Sequence, residues 1–295
     1  MQNSFQIQKP NEIQLNIFSL NIWQLPLQIA HESRRRFNIL KQYLQDIHSN
    51  NDIVSLQELW SSPYRKTLRQ QLTQNDYYVQ HKKLKFWNEY GGLFTAGKNI
   101  RKSMFQAFNE KGPFWMCDNW GRKGFLVSLV KKDGFIILHI NLHLQCLPQG
   151  SFGLDDSYYK KLRKVQAKQL QQVLDFVDES IQQNDVQKRV NFDAIMLTGD
   201  FNFNSLQKTK ENIFGHHVSH RSRLYTKLIN ASYIDVIHEY GSEEIRNTGS
   251  VRWTKEGHLL VPEQRIDFTF VRLLKNTTIR SASIDTVGKY EHSLS

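Results

Sequence analysis

The chain has 295 residues, of which 39% are hydrophobic and 23% charged, a composition typical of globular proteins. The hydrophobic fraction is too high for a disordered chain, and 15 glycines and 6 prolines are too few for a collagen-like or low-complexity sequence. The formal net charge of +11 favours polyanionic partners, namely nucleic acid, anionic lipid headgroups or phosphorylated substrates, without choosing among them.

The sequence shows no secretory signal and no membrane-spanning segment. Residues 1–10 are polar and lack a basic start followed by an apolar region. The longest apolar runs, such as 135–138, are far shorter than the roughly 20 residues that span a bilayer. We expect a protein of the cytoplasm or the membrane periphery, or one exported by a non-Sec route. No repeat or linker divides residues 1–295, so a single domain is expected.

The first part of the chain alternates strand and helix patterns. Alternating apolar residues in 13–17 predict a strand that ends at Asn21. Apolar residues at helical spacing predict an amphipathic helix over 33–48. The run 53–56 predicts a buried strand that delivers Glu58 at its end. Strand, helix and strand in this order indicate a layered α/β fold.

Six further segments have strand patterns: 92–95, 124–130, 135–142, 192–198, 265–273 and 278–287. Residues 131–134 predict a turn that pairs the second and third of these strands antiparallel. A second amphipathic helix is predicted over 157–183, and short helices and loops over 203–257. Many strands with a few covering helices predict two stacked, mainly antiparallel sheets sandwiched by helices.

Polar residues follow several of the predicted strands, where a scaffold can hold them against a shared cleft. Asn21 and Glu58 follow the first two strands, and His143 lies near the end of the apolar strand 135–142. A carboxylate after a strand is by itself more often a solvated turn residue. A histidine in an apolar strand is by default a satisfied core residue.

The strongest signal is the segment 195–202, in which an apolar strand runs into Gly199 and then Asp200 and Asn202. Residues at i and i+2 project the same way in an extended chain, and Gly199 permits a sharp exit, so Asp200 and Asn202 are expected to converge on one ligand. Asp267 lies within an apolar and aromatic strand. Its carboxylate is costly to bury unless a cation or a histidine pairs with it.

In this order, the segments resemble the endonuclease/exonuclease/phosphatase superfamily of metal-dependent phosphoesterases. The resemblance extends from Asn21 to Ser295, and residues 199–202 are its most specific match, with Glu58 and His143 at the expected places around them. It implies a DNase I-like α/β fold, a four-layer sandwich of two mainly antiparallel β-sheets flanked by helices. The site would lie at one end of this sandwich.

The resemblance also implies a role for each residue. Glu58 would bind a divalent metal, Mg²⁺ or alternatively Mn²⁺, with Asn21 close by, because a hard cation takes oxygen ligands and keeps several waters. His143 would steady a non-bridging phosphate oxygen, as an imidazolium or as a hydrogen-bond donor. Asp200 and Asn202 would orient or activate the attacking water.

The last motif of the superfamily is missing from the sequence. The pattern closes with a Ser-Asp-His segment and a final strand, and Asp267 would hold that histidine in the right tautomer. Here residues 291–295 read Glu-His-Ser-Leu-Ser and the sequence stops. We favour a fragment over an inactive member that acts as a binding module. Hydrolysis by this chain is expected to be strongly reduced, because Asp267 lacks its partner.

Weaker signals resemble the neutral sphingomyelinases. They are the segments 21–26, 57–60 and 90–93, and the pair Arg163 and Gln166 in the second predicted helix. This resemblance implies that the substrate is sphingomyelin, hydrolysed to ceramide and phosphocholine. A DNA or RNA nuclease or a phosphoinositide phosphatase of the same superfamily is the alternative.

Two clusters of basic and aromatic residues suggest how such a substrate is reached. The first contains Lys82, Lys83, Lys85, Phe86 and Trp87, and the second contains Phe114, Trp115, Trp120, Arg122 and Lys123. Exposed loops of this composition suit peripheral contact of a monomer with a phospholipid surface. A single-stranded nucleic-acid groove gives the same pattern, and so do buried aromatic residues.

Overall fold

The computed structural model describes residues 13–24, 33–47, 51–74, 77–79, 89–112, 121–147, 156–187, 190–203, 223–240, 267–274 and 278–279. Within these ranges, ten strands form two sheets. None of the described helices is long and apolar enough to cross a membrane.

The first sheet contains β1 (Ile17–Gln24), β2 (Ile53–Leu59), β3 (Tyr78–Val79) and β4 (Phe94–Gly97), in the order β1-β2-β4-β3. The second sheet contains β5 (Ile100–Ala107), β6 (Gly124–Lys132), β7 (Phe135–His143), β8 (Ala194–Asp200), β9 (Ile234–Asp235) and β10 (Asp267–Leu273), in the order β5-β6-β7-β8-β10-β9. The pairs β1–β2 and β7–β8 are parallel, and the other pairs are antiparallel. The predicted pair of mainly antiparallel sheets is confirmed.

Helices cover the outer face of each sheet. They are α1 (Ser33–Ile47), α2 (Ser62–Thr73), α3 (Asp156–Gln187), α4 (Arg223–Asn230) and the short α5 (Val236–Tyr240), with a 3₁₀ helix at Glu89–Gly92. Phe37, Leu40 and Leu44 lie on one face of α1 and pack with buried residues of α2 and the first sheet. The apolar face of α3, including Leu170 and Val177, packs with α4 on the second sheet. The result is the predicted four-layer sandwich.

Most predicted elements are confirmed, with shifted ends. The predicted hairpin is the β6–β7 pair, and its turn residues Asp133 and Gly134 have φ of 48° and 83°, as a tight two-residue turn requires. The predicted end of the first strand is wrong, because β1 continues past Asn21 to Gln24. Residues 278–279 of the last predicted strand are not extended into a sheet, and 280–287 lie outside the described residues. Elements α2, β3, β5 and β9 were not predicted.

The space between the sheets changes from apolar to ionisable along the strands. The residues that face it alternate along three strands: Ile53, Ser55 and Gln57 on β2; Ile137, His139, Asn141 and His143 on β7; and Met196, Thr198 and Asp200 on β8. The apolar members form one cluster at one end. His143 and Asp200 lie at the other end, so the fold brings the chemically useful residues to a single end of the sandwich.

Hydrogen bonds tie the two sheets together in the middle of this interface. His139 Nε2 lies 3.2 Å from Ser55 Oγ and 2.9 Å from Thr198 Oγ1. Gln57 Nε2 donates to Asn141 Oδ1 at 2.8 Å. Because a buried polar group is costly without a partner, these pairs fix how the sheets face each other.

Acid is expected to destabilise the protein through His139. Burial lowers the pKa of His139 from 6.5 to about 3. Between these values the unfolded chain binds a proton that the folded protein does not, so the free energy of unfolding falls as the pH drops from about 6.5 towards 3. Urea unfolding at several pH values from 6.5 to 4 measures this slope.

The variant His139→Gln is expected to reduce the slope by up to one proton, because it removes the titrating ring. The control Ser55→Ala keeps the histidine and its contact with Thr198, so it should lower stability at every pH while the slope remains. Equal slopes in the wild type and His139→Gln would contradict the prediction.

Candidate active site

Three predicted site residues lie side by side at the ends of three neighbouring strands of the second sheet. His143 on β7 is in register with Asp200 on β8, and Asp200 is in register with Asp267 on β10. Opposed carboxylates at Asp200 and Asp267 repel each other unless a cation or a donor compensates them. A cation bound near these two carboxylates would therefore relieve their repulsion.

The first sheet contributes two more predicted residues to the same place. Asn21 Nδ2 donates to Asp200 Oδ2 at 2.9 Å, and Asn21 Oδ1 accepts from the Trp23 backbone N–H at 2.9 Å. Glu58 Oε1 lies 3.7 Å from His143 Nε2, and Asp200 Oδ2 lies 3.6 Å from the same atom. The fold thus gathers Asn21, Glu58, His143 and Asp200 from distant segments of the chain.

Asn202 joins Asp200 in a way that the sequence did not predict. The Asn202 backbone N–H donates to Asp200 Oδ1 at 2.8 Å, and Asn202 has a φ of 51°. Its side-chain amide is directed elsewhere and donates to Leu144 O at 3.1 Å. Asn202 therefore orients the Asp200 carboxylate through its backbone. Its side chain fixes the backbone at Leu144, the first residue after β7.

Gly199 does not provide the sharp exit that was expected, because it lies inside β8. Its φ is +128°, and a Cβ at this position would lie 2.1 Å from Leu142 O on the neighbouring β7. A glycine is needed here because the two backbones approach closely next to Asp200.

The surroundings of His143 favour its neutral form. It is almost fully buried, and burial together with the adjacent Lys123 lowers its pKa well below 6.5. Lys123 Nζ lies 2.9 Å from His143 Nε2, and an ammonium can only donate, so this contact favours the tautomer in which Nε2 accepts and Nδ1 carries the proton. Nδ1 itself is buried and has no hydrogen-bond partner among the described residues. Of the two forms expected for His143, the imidazolium is disfavoured at neutral pH.

Positive φ angles concentrate at this edge of the sandwich. Six described non-glycine residues have a positive φ. Four of them, Trp23, Glu58, Arg122 and Asn202, with φ of 48°, 56°, 47° and 51°, are site residues or adjoin one, and the other two, Asp133 and Ser232, lie in turns elsewhere. Such conformations are strained and persist only where the surrounding packing enforces them. The edge is therefore held in a conformation that the chain would not adopt locally.

Trp60 and three glycines form a close-packed support under the site. A Cβ at Gly92 or Gly121 would lie 2.6 Å or 2.3 Å from the Trp60 ring, and a Cβ at Gly91 would lie 2.8 Å from Arg122 O. The segments 57–60 and 90–93 are thus closely packed with residues 121–123. These two motifs therefore contribute to the packing around the site.

Gln166 on α3 connects the chain segments that leave β7 and β8. Its Nε2 donates to Gln145 O at 3.0 Å, to Phe201 O at 3.2 Å and to Asn202 O at 2.9 Å. Gln166 is buried, whereas Arg163, with which it was paired in the sequence, is exposed. From α3, Gln166 therefore fixes the two segments that follow β7 and β8 at the site.

Lys123 corrects one prediction and adds a residue to the site. An exposed loop with Arg122 was one of the alternatives for it, but Lys123 is only 5% exposed and its side chain is directed at His143. Arg122 is exposed as expected. The other members of the two basic and aromatic clusters, and residues 291–295, lie outside the described residues.

The donor chemistry of the site fits a hard cation. The carboxylates of Glu58 and Asp200 flank one imidazole nitrogen, and the Glu58 side chain is 17% exposed. Within the described ranges, no group of three or more His, Cys, Asp or Glu side chains is arranged to hold a metal ion. Mg²⁺ is commonly held by one or two carboxylates with water completing its shell, so Glu58, with Asn21 and Asp200 near it, suits this ion.

The fold is similar to those of several solved structures. A β-hairpin deletion mutant of β toxin from Staphylococcus aureus has 18% identity and a TM-score of 0.59, over 93% of this chain and 94% of that chain. Sphingomyelinase C from Streptomyces griseocarneus has 17% identity and a TM-score of 0.60, over 88% of this chain and 83% of that chain. The chain therefore has the DNase I-like fold. No protein-family model and no curated protein sequence matches the chain.

TDP2 from Caenorhabditis elegans also has a similar structure, with 15% identity and a TM-score of 0.52 over 89% of this chain and 66% of that chain. Identities this low establish the architecture, since one fold hosts many activities. The fold predicted by the resemblance is confirmed, and the activity must be argued from the site.

Proposed function

We propose that the chain is a Mg²⁺-dependent phosphodiesterase that hydrolyses sphingomyelin to ceramide and phosphocholine. The observation that carries the proposal is the meeting of Asn21, Glu58, His143 and Asp200 at one edge of a DNase I-like fold. Two comparisons support it. Sphingomyelinase C from Streptomyces griseocarneus has a similar fold, and a similar structure of β toxin from Staphylococcus aureus contains bound magnesium ions.

The residues have complementary tasks in this reaction. Glu58 would hold Mg²⁺ with Asn21 nearby, and the bound ion would supply positive charge to a phosphate oxygen. Asp200 accepts a hydrogen bond from the attacking water, and its orientation is set by Asn21 and by the Asn202 backbone. The rigidity of this carboxylate matters more than its basicity, because the water must approach the phosphorus in line.

Asp267 keeps its predicted task of orienting a histidine that completes the site. It lies at the start of β10, half-buried and in register with Asp200. The histidine is not among the described residues around Asp267.

A nuclease of the same superfamily is the second candidate. The observation in its favour is the net charge of +11, which attracts a polyanion more strongly than it attracts a zwitterionic lipid.

The test offers the purified chain sphingomyelin in mixed micelles, plasmid DNA and phosphoinositide vesicles in the same Mg²⁺ buffer. We expect release of phosphocholine that EDTA abolishes and that Asp200→Asn does not show. Nicking of the plasmid without phosphocholine release would overturn the choice of substrate. Hydrolysis of none of the three substrates would favour the catalytically silent binding module.

A further inference from the structure

Lys123 is a buried lysine beside the candidate active site that the proposed reaction leaves without a task. Its side chain is 5% exposed, and Nζ lies 2.9 Å from His143 Nε2 and 2.9 Å from Leu144 O. A buried ammonium is costly unless it is paired with acceptors or anions. The burial of Lys123 therefore calls for an explanation in terms of its neighbours.

Three charged groups surround a single ring nitrogen. Lys123 Nζ, Asp200 Oδ2 and Glu58 Oε1 lie 2.9, 3.6 and 3.7 Å from His143 Nε2. The ammonium also shares Leu144 O with the Asn202 side chain, which donates to it at 3.1 Å. Lys123 thus contacts the same ring nitrogen that both carboxylates of the site approach.

The backbone around Lys123 is fixed on both sides. Arg122 has a φ of 47°, and a Cβ at Gly91 would lie 3.1 Å from Lys123 Cα. A Cβ at Gly124 would lie 2.2 Å from Gln106 O, on the neighbouring strand β5. The chain at 122–124 is packed as tightly as the segments that carry the predicted site residues.

We propose that Lys123 is a positioning residue of the site, whose ammonium holds His143 Nε2 as an acceptor and offsets one of the two negative charges of Glu58 and Asp200. The use of this arrangement in catalysis rests on the proposed function. The remaining charge of minus one still attracts a dication, while a phosphodiester meets less repulsion than it would from two uncompensated carboxylates.

The tautomer of His143 gives the first test, by ¹⁵N NMR of the imidazole in the metal-free protein. We expect the Nδ1–H tautomer in the wild type and in Lys123→Arg. In Lys123→Met we expect Nε2–H to be populated, because Glu58 and Asp200 then remain as the acceptors near that nitrogen. The control Lys132→Met removes a lysine from the opposite end of β6, where it pairs with Asp52, and should leave the tautomer unchanged. The same tautomer in the wild type and Lys123→Met would overturn the proposal.

Metal affinity gives the second test, by electron paramagnetic resonance titration with Mn²⁺ alone. Lys123→Met is expected to bind Mn²⁺ about tenfold more tightly, because a neighbouring positive charge is lost. Lys123→Arg and Lys132→Met should bind as the wild type does. Unchanged or weaker binding by Lys123→Met, with thermal unfolding showing a folded protein, would overturn the charge role and indicate a packing role.

Neither test uses a substrate. Failure to hydrolyse sphingomyelin therefore contradicts the proposed function and leaves the result for Lys123 intact. Loss of the tautomer difference contradicts the inference on Lys123 whatever the substrate is.

Discussion

The variant Asp200→Asn is expected to lower phosphodiester hydrolysis by about 10³-fold, the usual effect of removing a group that assists proton transfer. The Asp200 carboxylate accepts from the Asn21 side chain and from the Asn202 backbone. An amide has the same shape, but its NH₂ would face one of these two donors, and the negative charge is lost. The measurement is kcat/KM for the substrate that the wild-type chain hydrolyses.

The matched control is Asp235→Asn, which changes another buried aspartate of the second sheet. Asp235 lies on β9 at the far edge, and its Oδ1 accepts from the His238 backbone N–H at 3.2 Å. We expect this variant to keep activity within about twofold of the wild type, since it leaves the site charge unchanged. If Asp200→Asn keeps more than a tenth of the activity, or if both variants lose it equally, Asp200 has no direct part in the reaction.

The site residues that could be predicted are those at strand ends within strongly patterned segments. Glu58, His143 and Asp200 each follow an apolar run long enough to predict a buried strand, and neighbouring strands present their ends at a common edge. The resemblance added the order of the motifs. Pairing between sheets, such as Asn21 with Asp200, depends on how two layers face each other, which no local pattern encodes.

The burial of Lys123 could not be predicted because a basic residue next to a loop belongs to no periodic pattern. The β6–β7 hairpin does indicate where its backbone lies. The turn at 131–134 sets the β6–β7 register, with Lys132 opposite Phe135 and Phe125 opposite Leu142. Continuing this register places Lys123 opposite Leu144, next to His143. Counting back from the turn therefore places the backbone of Lys123 at the end of β7 that carries the site. Strand alternation alone would direct its side chain to the face of Leu144, away from His143, so the contact itself could not be predicted.

Two of the four unpredicted elements, β5 and α2, escaped prediction for different physical reasons. Strand β5 lies at the edge of its sheet and exposes Arg101, Lys102 and Met104, so it lacks the alternation of a half-buried strand. Helix α2 buries Leu68 and Leu72 but also the charged Arg65, which donates to Leu59 O and Leu93 O. A buried arginine bound to backbone carbonyls interrupts the apolar stripe that a helix pattern needs.

The variant Gly199→Ala is expected to lower the free energy of unfolding by about 4 kcal/mol, among the larger effects of a single substitution. The new Cβ would lie 2.1 Å from Leu142 O and 3.2 Å from Gln57 Nε2. The first atom belongs to the backbone of β7, which cannot move without breaking its parallel pairing with β8. The Gln57–Asn141 bond between the sheets would also be disturbed.

The control Gly134→Ala separates this close approach from the cost of a positive φ. Gly134 also has a positive φ, 83°, but it is exposed in the β6–β7 turn. Its substitution should lower the free energy of unfolding by only about 1 kcal/mol, through backbone strain alone. Urea unfolding of both variants measures the difference. Similar losses would mean that φ governs the requirement for glycine at position 199, whereas a loss confined to Gly199→Ala would mean that the approach of β7 to β8 beside Asp200 governs it.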